Sequence, residues 1–117
     1  MTDNVYWVLV ANVNEGKQEA LRKLASKFVA QTQSELRALA YEWSFSDDAS
    51  RLHIYERYTD SEAALAHLAK VGPVLGELLA LVTPVRLDCY GRVSDAFRDA
   101  TKDLPMVYYT QFDGFTR

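Results

Sequence analysis

Apolar residues run almost unbroken through Val5-Tyr6-Trp7-Val8-Leu9-Val10-Ala11-Asn12-Val13, many of them β-branched or aromatic. That pattern predicts a strand covered on both faces. Asn14-Glu15-Gly16 is turn chemistry, with Asn14 positioned to cap a helix. Over residues 17–35 the apolar positions Ala20, Leu21, Leu24, Ala25, Phe28 and Val29 recur at helical spacing, which predicts a long amphipathic helix. In residues 38–46 the period changes to two, and Leu39, Tyr41, Trp43 and Phe45 share one face of a strand. Asp47-Asp48-Ala49-Ser50 has hairpin length, and a third strand comes next with Leu52, Ile54, Glu56 and Tyr58 on one face. Thr59 and Glu62 have the spacing of a capping box for a helix over residues 60–71. Gly72-Pro73 interrupts that helix, and residues 74–81 form a second helical piece. Residues 84–93 read as a fourth strand, with Val85, Leu87, Cys89 and Val93 facing one way. A short helix over 94–103, capped by Ser94, and a strand-like tail over 106–112 complete the chain.

The order β-α-β-β-α-β plus a tail predicts an α+β, ferredoxin-like fold with an antiparallel sheet. One domain is expected over residues 1–117, with its core at about 5–93 and a C-terminal helix and strand at 94–117. Helices can cover only one face of such a sheet, yet the first strand is apolar on both. The second face is therefore expected to meet a second copy, making a homodimer. The tail offers a strand to pair with an exposed edge, its own or the partner's.

The totals narrow the function classes. A formal net charge of −3 argues against non-specific nucleic-acid binding, which needs a cationic surface. The longest apolar runs fall far short of the roughly 20 residues of a membrane span. The single cysteine, Cys89, and an N-terminus without a basic signal-peptide region point to a reducing, cytoplasmic location. There is no P-loop, GxGxxG, HExxH or GxSxG motif, and two histidines with one cysteine make a tight metal site a poor fit.

The most informative stretch is Tyr55-Glu56-Arg57-Tyr58-Thr59-Asp60, with Ala63-Ala64 and His67 after it. Together with Asn14-Glu15-Gly16-Lys17 and with Ser34-Glu35 ahead of Tyr41-Glu42, it resembles the antibiotic biosynthesis monooxygenase family of dimeric α+β barrels, over about residues 5–93. Leu36-Arg37 stand where that family usually has Pro-Gly, so the turn must be made differently here. The resemblance implies oxygenation of a small aromatic, quinol-like or polyketide-like substrate by dioxygen with no cofactor. A haem-degrading branch relies on an Asn, a Trp and a His. Asn12, Trp7 and His67 supply those types at a spacing that does not fit the branch, which stays open as the lesser alternative.

Cofactor-free oxygenation needs an electron-rich substrate anion, hence a base, donors that steady the anion and a dry pocket. His67 has the intrinsic pKa of such a base, and Glu56 is placed to orient it or to act as base itself. Tyr41, Trp43 and Tyr58 are candidates to stack on the ring, and Asn12 or Arg92 to hold an oxygen. Each has a plainer reading. His67 lies about 110° from the centre of its helix's apolar stripe, a flank suited equally to a solvated histidine. Glu56 could pair across the sheet with Arg86 or Arg92. Tyr41, Trp43 and Phe45 suit a core or a dimer interface, His53 the wetter strand face, and Cys89 an inert buried position. Glu15 and Glu35 read as solvated helix-end charges. The alternatives to an oxygenase are a non-catalytic small-ligand-binding or accessory dimer, and an isomerase using the same base.

Overall fold

A computed structural model describes residues 2–117. The elements are β1 (Val5–Val13), α1 (Gln18–Gln33), β2 (Ala38–Phe45), β3 (Arg51–Tyr58), α2 (Ser61–Val71), a 3-10 turn (Gly72–Val74), α3 (Leu75–Leu79), β4 (Val82–Tyr90), α4 (Asp95–Ala100) and β5 (Met106–Tyr109). The strands form one sheet in the order β2-β3-β1-β4-β5. Pairing is antiparallel except between β4 and β5, so the tail adds a parallel edge strand and makes the expected antiparallel sheet mixed. The fold is the α+β, ferredoxin-like arrangement.

The helices cover one face of the sheet, toward which β1 points Val5, Trp7 and Ala11 and β3 points Leu52, Ile54, Glu56 and Tyr58. Leu21, Leu24 and Phe28 of α1 close over one half of this core. Ala63 and Ala64 of α2 and Phe97 of α4 close over the other, against Val5, Trp7, Tyr58 and Cys89. Full burial of each large apolar side chain contributes about 1.5–3 kcal/mol, so these layers fix the positions of the groups between them. The opposite face carries Tyr6, Val8 and Val10 half-buried, together with exposed His53.

Two irregularities shift faces relative to simple alternation. The register of β2 against β3 slips between Ala38 and Ala40, which turns Leu39 outward, 52% exposed. On β4, Arg86 pairs with Val10 and Pro84 with Ala11, leaving Val85 as the extra residue of a bulge and 51% exposed. Period-two counting therefore misplaces both residues. The caps also differ from expectation in part. Ser94 caps α4 by accepting from the Phe97 amide, as its sequence position suggests. For α2 the cap is Asp60, which accepts from the Ala63 amide, and not Thr59. Thr59 instead accepts from Arg37 Nε. Asn14 does not cap α1; its side chain accepts from Thr83 Oγ1 and so ties the start of β4 to the β1 turn.

Candidate active site

The strand face of β3 carries one carboxylate among apolar neighbours, Glu56, and α2 crosses above it. Its Asp60 cap and first turn set the helix so that His67, two turns in, points down at the sheet. His67 is 1% exposed, which excludes the solvated reading of that side chain. Its Nε2 lies 3.2 Å from Glu56 Oε1, and the Tyr58 hydroxyl donates to the same oxygen at 2.7 Å. Glu56 is therefore paired with His67 and Tyr58, and Arg86 and Arg92 lie elsewhere: Arg86 bonds Asp88, and Arg92 faces Asp3.

The other ring nitrogen has a partner that periodicity did not reveal. His67 Nδ1 lies 3.1 Å from Glu35 Oε1, and the Glu35 side chain is about 10% exposed. Glu35 is thus not a solvated helix-end charge. The turn after α1 explains its place, since the Glu35 amide donates to Thr32 O and the Ala38 amide to Glu35 O, which folds the carboxylate back under the helix end. Arg37 supports the turn from outside by bonding Asp60 and Thr59, in place of the rigidity Pro-Gly would supply.

The chemistry of the cluster comes from its donor count. A neutral imidazole has one N–H, but both of its nitrogens here face carboxylate oxygens. Burial pulls the His67 pKa down, yet the hydrogen bond and charge of Glu56 and the charge and hydrogen bond of Glu35 outweigh it, so the net shift is upward. The two glutamates thus raise the proton affinity of the imidazole held between them. Tyr41 and Tyr58 flank it, with ring centroids 5.4 and 5.1 Å from the imidazole. Burial, with the charge of Glu56 next, pushes both phenols well above the usual tyrosine range and keeps them neutral donors.

Trp43 packs edge-on against Tyr41 at 6.1 Å and against Phe28 at 5.8 Å. It also lines a cleft of about 240 Å³ between α1 and β2, with Leu21, Phe45 and Leu52. A second cleft, of about 390 Å³, lies on the opposite sheet face beside Val8, His53 and Tyr55. His67 and Glu56 do not line either of these two clefts.

Five of the residues singled out from the sequence thus come together: His67, Glu56, Tyr58, Tyr41 and Trp43. Asn12 and Arg92 do not join them. Asn12 is exposed on the opposite face of β1, and Arg92 is exposed beyond β4. With Asn12 there and Trp7 stacked on Tyr58 and tilted against Phe97, the Asn, Trp and His types of a haem-degrading site do not converge either. Cys89 is 1% exposed, and burial pushes its thiol up to about 12, an inert position. Glu35 and Thr32 were the groups missed. Thr32 continues the apolar stripe of α1 one turn beyond Phe28, and a polar residue at a core-facing position was the available signal.

No helix among the described residues is long and apolar enough to cross a membrane, and no group of three or more His, Cys, Asp or Glu among them is arranged to hold a metal. Among solved structures, the chain is similar to MupZ from Pseudomonas fluorescens at a TM-score of 0.89 and 22% identity, covering 99% of this chain and 96% of that one. It is also similar to SnoaB from Streptomyces nogalater, a cofactor-independent oxygenase, at a TM-score of 0.67 and 19% identity, covering 80% and 96%. A third likeness is to Rv0793 from Mycobacterium tuberculosis, at 0.67 and 22%, covering 80% and 98%. At these identities the likenesses establish the fold. No curated protein matches the sequence significantly. The family model for antibiotic biosynthesis monooxygenases matches residues 5–71, more than half of the chain and the stretch that holds Glu35, Glu56 and His67, so this protein belongs to that family.

Proposed function

We propose that the protein is a cofactor-independent monooxygenase acting on a small aromatic substrate, quinol-like or polyketide-like, with dioxygen as co-substrate. The observation that carries this reading is the buried Glu35–His67–Glu56 relay, with Tyr41 and Tyr58 against it. In this reading His67 carries a proton between the two carboxyl groups, and Glu56 is the group that takes a proton from the substrate. A substrate hydroxyl reaching Glu56 would give its proton to the carboxylate. His67 would stay cationic and offset the charge left on the substrate oxygen. The resulting anion is electron-rich enough to reduce dioxygen itself. The substrate supplies the electrons, one oxygen atom enters it and the other leaves as water. Tyr41, Trp43 and Tyr58 present ring surface and neutral donors to the substrate.

The protein works as a homodimer in this reading, joined through the uncovered sheet face. Tyr6, Tyr90 and Tyr109 stack there at 5.2 and 5.0 Å beside Val8 and Val10. Aromatic surface of that kind, with one helix-free side, suits a self-complementary interface.

A second reading is favoured by one observation: both imidazole nitrogens are already engaged by carboxylates, and neither larger cleft reaches them. On that reading the relay is a structural element of a ligand-binding or accessory dimer. Oxygen uptake with a panel of hydroquinones and anthrone-like compounds separates the two. Uptake by the wild type that falls at least a hundredfold in Glu56→Gln supports the oxygenase. Binding of the same compounds without uptake supports the accessory role, and product formation without oxygen uptake points to proton-transfer isomerisation.

A further inference from the structure

Three pieces of chain enclose His67, and they are held in different ways. β3, which brings Glu56, is paired on both sides, with Glu56 opposite Trp7 of β1 and Tyr41 of β2. α2 is pinned by Ala63 and Ala64, both in the apolar core. The α1–β2 connection, Ser34-Glu35-Leu36-Arg37, has no such anchor. Its one apolar side chain, Leu36, is 91% exposed, and Ser34 and Arg37 also face water. Of these four residues only Glu35 turns inward, to His67 Nδ1 at 3.1 Å. The clasp that holds the connection down lies on the outside. Arg37 Nη2 donates to Asp60 Oδ1 at 2.6 Å and Nε to Thr59 Oγ1 at 3.2 Å, while Nη1 stands 3.5 Å from Glu62 Oε1. One backbone bond, from the Thr59 amide to Arg37 O, completes it. Arg37, Asp60 and Glu62 are 48%, 39% and 86% exposed in their side chains, so these ion pairs are weak and screened by salt. Opening the connection breaks a few polar contacts, whereas moving α2 or β3 breaks the core. The connection is therefore the part of the enclosure with the lowest opening cost.

We propose that the α1–β2 connection is a lid over the relay and that Arg37 is its latch. Latched, it seats Glu35 on His67. Released, it carries Glu35 away and uncovers the imidazole and, behind it, Glu56. Arg37 is then a positioning residue that acts on His67 through Glu35, and the entrance to the relay opens more readily as salt rises. The inference rests on the proposed function only for the identity of the small molecule that enters.

The test reads the lid by two probes in the wild type and in Arg37→Met, which keeps the stem of the side chain and loses its charge. The first is hydrogen exchange of the Thr59 amide, with the Ala49 amide, bonded to Ser46 O in the β2–β3 hairpin, as the reference. The second is labelling of His67 by diethyl pyrocarbonate at fixed pH, with exposed His53 as the reference. Thr59 exchange and His67 labelling are each expected to be about fivefold faster in Arg37→Met, with both references unmoved. Raising sodium chloride from about 20 mM to about 1 M should speed both in the wild type and neither in the variant. Loss of a cation favours the protonated, unreactive imidazole, so faster labelling reports access. The salt series in the wild type decides the matter alone if the variant fails to fold. Rates insensitive to salt and to Arg37→Met overturn the lid. So does faster Thr59 exchange with His67 labelling unchanged, or an equal rise in both references. Neither probe needs turnover, so the two readings fail separately. A salt-dependent lid with no oxygen uptake keeps the latch and removes the oxygenase. Oxygen uptake with an unmoved connection does the reverse.

Discussion

His67 and Glu56 meet at 3.2 Å across the interface of α2 and β3, with the imidazole 1% exposed. That contact joins the middle of a helix to the buried face of a strand, so any shift of α2 along the sheet breaks it. With Glu35 on the other ring nitrogen, the imidazole bridges three separate parts of the chain. The bridge is at once a packing element and a proton site.

The raised His67 pKa fixes the sign of a pH effect. The contribution of His67 to stability is fully present below its ordinary value of 6.5 and is lost as pH rises through the higher folded value. Urea midpoints measured from pH 6 to 10 are expected to fall over the alkaline part of that range. His67→Gln should flatten this dependence. It should also destabilise the protein near neutrality by about 3–5 kcal/mol, because two buried carboxylates lose the cation between them.

Glu35 touches the relay only through His67, so it acts as a positioning residue. Glu35→Gln keeps the shape and removes one of the two charges that hold the imidazolium. We expect His67 to lose its proton at lower pH in this variant, and the pH profile of kcat/KM to move with it while KM changes little. An unmoved profile would reduce Glu35 to a packing contact.

Tyr58→Phe takes away the hydroxyl that donates to Glu56 Oε1. The cost to stability is about 1–3 kcal/mol, the scale of a buried acceptor losing its partner, measured by denaturant unfolding. The effect on His67 is opposite to that of Glu35→Gln. With a competing donor gone, more of the Glu56 charge is left for the imidazolium, which should stay protonated to higher pH.

Gly91 joins β4 to the segment before α4 with φ +114°, and a Cβ there would come within 2.3 Å of Asn4 O. Gly91→Ala must displace the backbone ahead of β1 and adopt an unfavourable conformation. A loss of about 1–3 kcal/mol is expected, read as a lowered urea midpoint.

The fold was largely legible because its two periods are clean. The α1 stripe through Leu21, Leu24 and Phe28, the alternation Leu52, Ile54, Glu56, Tyr58 and the Gly72-Pro73 break each name an element directly. What the period could not give were the slips in it. Leu39 and Val85 look like inward residues until the bulges beside them turn them out. The site was legible in part for the same reason. Glu56 stands out as a charge on an apolar strand face, while His67 at the edge of its stripe could be placed only once α2 was docked. Glu35 lies in a turn, where no periodicity applies. Its burial depends on the Thr32–Glu35–Ala38 backbone bonds and the Arg37–Asp60 clasp, both products of tertiary contact.

The central claim, that His67 is held as a cation between two carboxylates and so leaves the cluster able to accept a proton, is tested most directly by ¹⁵N NMR of the His67 ring in the wild type near pH 7. We expect both ring nitrogens to have the shifts of protonated imidazolium and to keep them well above pH 6.5. A neutral ring at pH 7, with one nitrogen unprotonated, would contradict it.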